Sequence, residues 1–212
     1  MKQVFIQNRI FFYIYIPIFL LAVATIFFTE KIELHTYFNQ FVGTYDAFFK
    51  YITYLGDGIF IISFILILLF FSTQKSLTVL ISYAISSIFT QICKYSYSAI
   101  TANNRPVWVF EQGKLHLNKV ADVNLYINES FPSGHATAAF SFFFCLSFFA
   151  KKTYSKIIYF IISILTAFSR VYLSQHFFED ITAGSFIGLV CSWMVCAHLY
   201  HKFNKLNKPI WK

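Results

Sequence analysis

The chain has 212 residues, of which 58% are hydrophobic, 22% aromatic and only 12% charged, with a formal net charge of +8. A soluble globular domain carries about 25% charged residues, so an ordinary soluble enzyme is excluded and an integral membrane protein is expected. The basic excess reads as a membrane-topology signal, helped by anionic inner-leaflet lipid, and not as a nucleic-acid surface, since no folded basic patch is visible.

In chain order, apolar segments predict an all-α bundle of six transmembrane helices at about 10–28, 52–72, 77–98, 134–150, 156–173 and 179–200. Ile10–Phe28 and Gly58–Ser72 contain no charge at all, and a span needs roughly 20 mainly apolar residues. Ala22-Val23-Ala24 resembles a signal-peptidase site, but the apolar run continues through Phe28 and its removal would leave an odd number of spans; it reads as retained helix. The third and fifth segments are the least pure, with Lys94 or Ser169-Arg170 near their ends. No repeat, low-complexity tract or Gly/Ser linker divides the chain, so one domain over 1–212 is expected. Cys93, Cys145, Cys191 and Cys196 all fall inside predicted spans and read as small core residues, not as disulfides or zinc ligands.

The short loop with Lys151, Lys152 and Lys156 is the clearest basic marker, joined by Lys2, Arg9, Lys75 and the tail lysines Lys202, Lys205, Lys208 and Lys212. That places both termini in the cytoplasm. The loops at 29–51 and 99–133 and the turn at 173–178 then face outward, and the unusual polar residues lie in or beside the last two. Ionisable residues beside hydrocarbon are costly and mark function.

In Pro132-Ser133-Gly134-His135, Ser133 is placed to cap a helix whose free N–H groups and dipole suit a phosphate oxyanion. Gly134 lets backbone approach a ligand, and His135 stands at the lip, able to exchange a proton. His176 and Asp180 are four apart and share a helical face. A carboxylate on one imidazole nitrogen fixes the tautomer and leaves the other nitrogen free to attack. Arg170 precedes that turn as a bidentate phosphate clamp, and Arg105-Pro106 adds a second guanidinium on the same side. The hydrophobic residues of 107–130, including Trp108, Phe110, Leu115 and Tyr126, read as an interfacial flap.

These three elements resemble, in order, the signature of the type 2 phosphatidic acid phosphatase family, which shares its site with vanadium haloperoxidases: Lys-x6-Arg-Pro, Pro-Ser-Gly-His and Ser-Arg-x5-His-x3-Asp. The second matches at Pro132–His135 and the third at Ser169, Arg170, His176 and Asp180, within a signature region of 94–180. The first departs: Ser98 stands where the family has Lys, and the nearest lysine is Lys94. On a continuous helix Lys94 points the same way within about 40°, one turn (roughly 6 Å) deeper; an insertion within Ala99–Asn104 is the other way to restore the pattern.

The resemblance implies a metal- and cofactor-independent lipid phosphatase of a bacterial inner membrane, acting at the periplasmic face. It implies His176 as nucleophile, Asp180 orienting it, His135 as acid and then base, and Arg105, Arg170, Ser133, Gly134 and Lys94 as phosphate ligands. A phosphorylated membrane lipid is the expected partner, with lipid A (1- or 4'-position) preferred over undecaprenyl diphosphate and phosphatidylglycerophosphate. A lipid phosphotransferase and a non-catalytic membrane scaffold are the alternatives of other classes.

Overall fold

The computed structural model describes residues 1–202, so Lys205, Lys208 and Lys212 of the basic tail lie outside the described residues. Every named element is a helix: α1 (Lys2–Gln7), α2 (Arg9–Phe28), α3 (Lys31–Asn39), α4 (Asp46–Ile52), a 3-10 turn (Thr53–Gly56), α5 (Gly58–Phe71), α6 (Thr73–Ile100), α7 (Pro106–Gln112), α8 (Gly134–Phe149), α9 (Thr153–Tyr172) and α10 (Phe178–Lys202). The six predicted segments reappear as α2, α5, α6, α8, α9 and α10, but not all at spanning length. Arg9–Phe28, Thr73–Ile100, Thr153–Tyr172 and Phe178–Leu199 are long and apolar enough to cross a membrane. Gly134–Phe149, at 16 residues, is shorter.

The segment expected as one helix over 52–72 is instead two helical pieces, Asp46–Gly56 and Gly58–Phe71, bent by 55°. The cause is local. Asp57 leaves helical geometry (φ −80°, ψ 142°), and its Oδ1 accepts from the Ile59 amide at 2.8 Å, capping α5. An extended, capping aspartate flanked by two glycines stops one helix and starts the next.

Around α8 the helices approach through small and hydroxylated residues, the means by which spans associate when burial from water supplies no drive. A Cβ on Gly184 would stand 2.5 Å from the Ser133 carbonyl oxygen, and one on Gly188 would overlap the Thr137 carbonyl, so α10 lies directly against α8. Ser192 Oγ is 2.8 Å from Ser141 Oγ, and Thr90 Oγ1 is 3.0 Å from Thr137 Oγ1. Phenylalanines fill the remaining seams: Phe11 of α2 packs edge-on against Phe144 of α8 and Phe160 of α9, at 5.4 and 5.0 Å between centroids. Cys145 and Cys196 are buried free thiols in this core. Ala22–Ala24 lie within the unbroken α2.

Candidate active site

Helix α8 begins at Gly134 with Ser133 as its cap, Oγ accepting from the Ala136 amide at 3.4 Å. The Ser133 amide donates to the Asp180 carbonyl at 3.0 Å, locking the start of α8 to the start of α10. One turn closes the other side: the Gln175 and His176 amides both donate to the Arg170 carbonyl, at 2.9 and 3.1 Å. The end of α9, the start of α10 and the start of α8 therefore meet at one point.

At that point His176 Nδ1 lies 3.3 Å from Asp180 Oδ2, both side chains being buried (2% and 1% exposed). The same carboxylate oxygen accepts from Ser130 Oγ at 2.5 Å and the Phe177 amide at 2.9 Å. Burial holds the His176 imidazole well below its ordinary pKa, and the charges of Arg105, Arg170 and Lys94 push the same way. It is thus neutral, with Nδ1 turned to the carboxylate; donation from Nδ1 puts the lone pair on Nε2.

The cations converge from three directions. Lys94 is buried, and its Nζ donates to the Glu129 carbonyl at 2.7 Å. Arg105 Nη2 donates to that same carbonyl at 3.3 Å, Nε to the Asn128 carbonyl at 2.7 Å and Nη1 to the Gln175 carbonyl at 3.1 Å. Arg170 donates from Nη1 to Thr53 Oγ1 at 2.9 Å, while its buried Nε has no hydrogen-bond partner among the described residues. A buried donor without an acceptor is costly and fits an anion. α6 stays helical to Ile100, and residues 101–105 leave it without helical structure. Lys94 and Arg105 meet on the Glu129 carbonyl, and Ser98 accepts from Asn103 Nδ2 at 3.0 Å.

Sequence reasoning missed several residues that build this site. Asn103 clamps Phe131 on both sides, Oδ1 accepting from its amide at 2.6 Å and Nδ2 donating to its carbonyl at 2.9 Å. Ser130 holds Asp180, Gln175 meets Arg105 and Thr53 meets Arg170. The hydrophobic flap divides: Phe110 and Val120 pack inward, whereas Leu115 and Tyr126 are exposed. Two larger cavities, of about 790 and 320 Å³, lie between α6 and α10 and at the C-terminal end of α2, away from His135 and His176.

A Cβ built on Gly134 would meet nothing within 4 Å. Gly134→Ala is therefore expected to melt no lower than the parent, yet to lose about 10- to 100-fold in activity as the methyl displaces the phosphate from its cradle. Melting and turnover measured on one preparation check both halves.

Behind the turn, His35 of α3 is buried, with Nε2 3.2 Å from Ser174 Oγ and its ring edge-on to Phe177 and Phe110. Burial pushes its pKa down from 6.5 to about 4, the nearby Asp180 charge opposing. The folded chain thus refuses a proton that the unfolded chain accepts. Its stabilisation is complete above pH 6.5 and lost as pH falls towards 4, by up to about 3 kcal/mol. Melting temperature should fall less steeply across that window for His35→Gln than for the parent.

A neutral imidazole backed by a buried carboxylate thus stands among cations at a helix start, an arrangement suited to phosphoryl transfer. The PAP2 superfamily model matches residues 75–205, and the chain belongs to that family: it is a PAP2-type membrane phosphatase acting on lipid phosphates. No curated protein matches it. Among solved structures it is similar to LpxE from Aquifex aeolicus, at 24% identity and a TM-score of 0.68, covering 80% of this chain and 96% of that one. It is also similar to the first transmembrane PAP2-type phosphatidylglycerolphosphate phosphatase from Bacillus subtilis, at 22% identity and a TM-score of 0.64, covering 92% and 96%. Both likenesses speak to the fold.

Proposed function

We propose that this single-domain chain is a metal-independent lipid phosphatase with six spans. In this reading it removes a head-group phosphate at the periplasmic face of a bacterial inner membrane, with both termini cytoplasmic. The observation that carries it is the buried His176–Asp180 pair set beside Arg170, whose Nε is unpartnered. The orientation is supported by Lys75 and Lys156, which begin α6 and α9 at the end opposite Lys94 and Arg170.

In the first step His176 Nε2 attacks phosphorus, and the bond to the lipid oxygen breaks as His135 delivers a proton to it. Asp180 stabilises the charge gained by the imidazole. Water, deprotonated by His135, then cleaves the phosphorus–nitrogen bond and releases inorganic phosphate. Arg105, Arg170, Lys94, the Ser133 hydroxyl and the Gly134 amide hold the equatorial oxygens, where charge resides in the transition state. With three cations in that role, a divalent ion has no task left.

Lipid A, at its 1- or 4'-phosphate, is the proposed substrate, in keeping with exposed Tyr126 and Ile127 beside Arg105. The test incubates purified protein in EDTA with lipid A, undecaprenyl diphosphate and phosphatidylglycerophosphate. Phosphate release greatest from lipid A is expected. Greater release from either other lipid reassigns the substrate, a newly phosphorylated lipid without free phosphate makes the protein a transferase, and no product from any of the three makes it a scaffold.

A further inference from the structure

The break in the second apolar segment forms a fourth wall of the site. Thr53 accepts from Arg170 at 2.9 Å. Gly56 lies so close to the start of α8 that a Cβ there would stand 2.9 Å from the His135 carbonyl oxygen and 3.4 Å from its Cβ. Asp57 follows, with Oδ2 3.9 Å from His135 Nε2. That separation is longer than a hydrogen bond and suits an ion pair with the imidazolium or a bridge through one water. Catalytic contacts are often this loose before substrate binds. The other charged and titratable groups acting on His135 are Arg170 of α9, His176 of the turn, Arg105 ahead of α7 and Lys94 of α6. Among the described residues, Asp57 is the one carboxylate within 4 Å of this ring.

We propose that Asp57 is a positioning residue for His135, holding its imidazole towards the leaving oxygen and keeping it protonated for the first step. This rests on the phosphohistidine reading, in which His135 is the acid. Asp57 also caps α5 through Oδ1, at 2.8 Å from the Ile59 amide, so the two duties must be separated. Asn and Ser cap nearly as well as Asp. Asp57→Asn keeps the cap and loses the charge, whereas Asp57→Ser keeps the cap and loses the reach.

The experiment measures kcat, KM and the pH profile of kcat/KM on phosphatidylglycerophosphate, or whichever panel lipid the parent cleaves fastest. It compares the parent with Asp57→Asn, Asp57→Ser, His135→Ala, Asp57→Asn/His135→Ala and His176→Ala. Both Asp57 variants are expected to lose about 10- to 100-fold in kcat with KM within about threefold, a fraction of what general acid catalysis supplies. The alkaline limb should move to lower pH, because the imidazolium has lost its counter-charge. The double variant should be no slower than His135→Ala. Parent-like kcat and an unmoved limb in Asp57→Asn, or losses that multiply in the double variant, would overturn the proposal. If His176→Ala is inert, the phosphohistidine reading survives that failure; if His176→Ala retains activity, that reading falls and takes this role of Asp57 with it.

Discussion

His176→Ala abolishes phosphate release from the lipid substrate, by about 10⁵-fold or more, while the protein remains folded and membrane-bound. A loss of that size is what removing a covalent nucleophile produces, because no neighbour takes over the bond to phosphorus. The fold is expected to survive because Asp180 keeps Ser130 Oγ and the Phe177 amide after the imidazole is gone. The turn itself is held through backbone, by the Gln175 and His176 amides on the Arg170 carbonyl. Rapid acid-free quenching of the parent with radiolabelled substrate should trap phosphate on the protein, and His176→Ala should trap none. Since burial holds His176 neutral to well below pH 6.5, its protonation sets no acid limb near neutrality in the parent. EDTA-resistant turnover surviving intact in His176→Ala would sink the assignment.

That these residues meet at one candidate site was largely legible because most sit in a short, ordered motif with a helix boundary inside it. Ser133 caps, Gly134 opens, and His176 stands in the turn just ahead of α10 with Asp180 in its first turn; local rules suffice for all of them. Lys94 was ambiguous from spacing alone, yet a signal was present. Ser82, Ser86, Thr90 and Lys94 recur at intervals of four, and all are buried on one face of α6, a polar stripe that a lipid-facing surface does not explain. Asn103, Ser130 and Gln175 act on partners far away in the chain, Phe131, Asp180 and Arg105, so neither period nor motif could mark them. Asp57 was hidden differently. Its flanking apolar runs read as one span, and the break is set by two glycines and a capping carboxylate whose partner, His135, lies 78 residues further on. The segment expected at 134–150 is α8 to within one residue, because its start is set locally by the Ser133 cap.

Asp180→Asn gives the second large effect, about 10³- to 10⁴-fold in kcat, with KM little changed. The variant is nearly isosteric, and its amide oxygen, placed where Oδ2 now stands, still accepts from Ser130 and the Phe177 amide. What it cannot supply is charge. As His176 Nε2 bonds to phosphorus the imidazole becomes cationic, and in this buried setting a neutral amide leaves that cation uncompensated beside Arg105, Arg170 and Lys94. With the amide turned the other way, its NH2 faces Nδ1 and drives the proton to Nε2, removing the attacking lone pair; a wrong tautomer of this kind costs about 10⁴ in a hydrolase triad. Both orientations slow the first step, so single-turnover phosphoryl transfer should fall as far as steady-state kcat. Asp180→Ala is the contrasting variant. It leaves the buried Ser130 hydroxyl and Phe177 amide without an acceptor, at about 1–3 kcal/mol each, and should lower the melting temperature as well as the rate. A folded Asp180→Asn within threefold of the parent in single turnover would mean that the carboxylate does not set the nucleophile, leaving Asp180 as the pin that joins Ser130 and Phe177 to the start of α10.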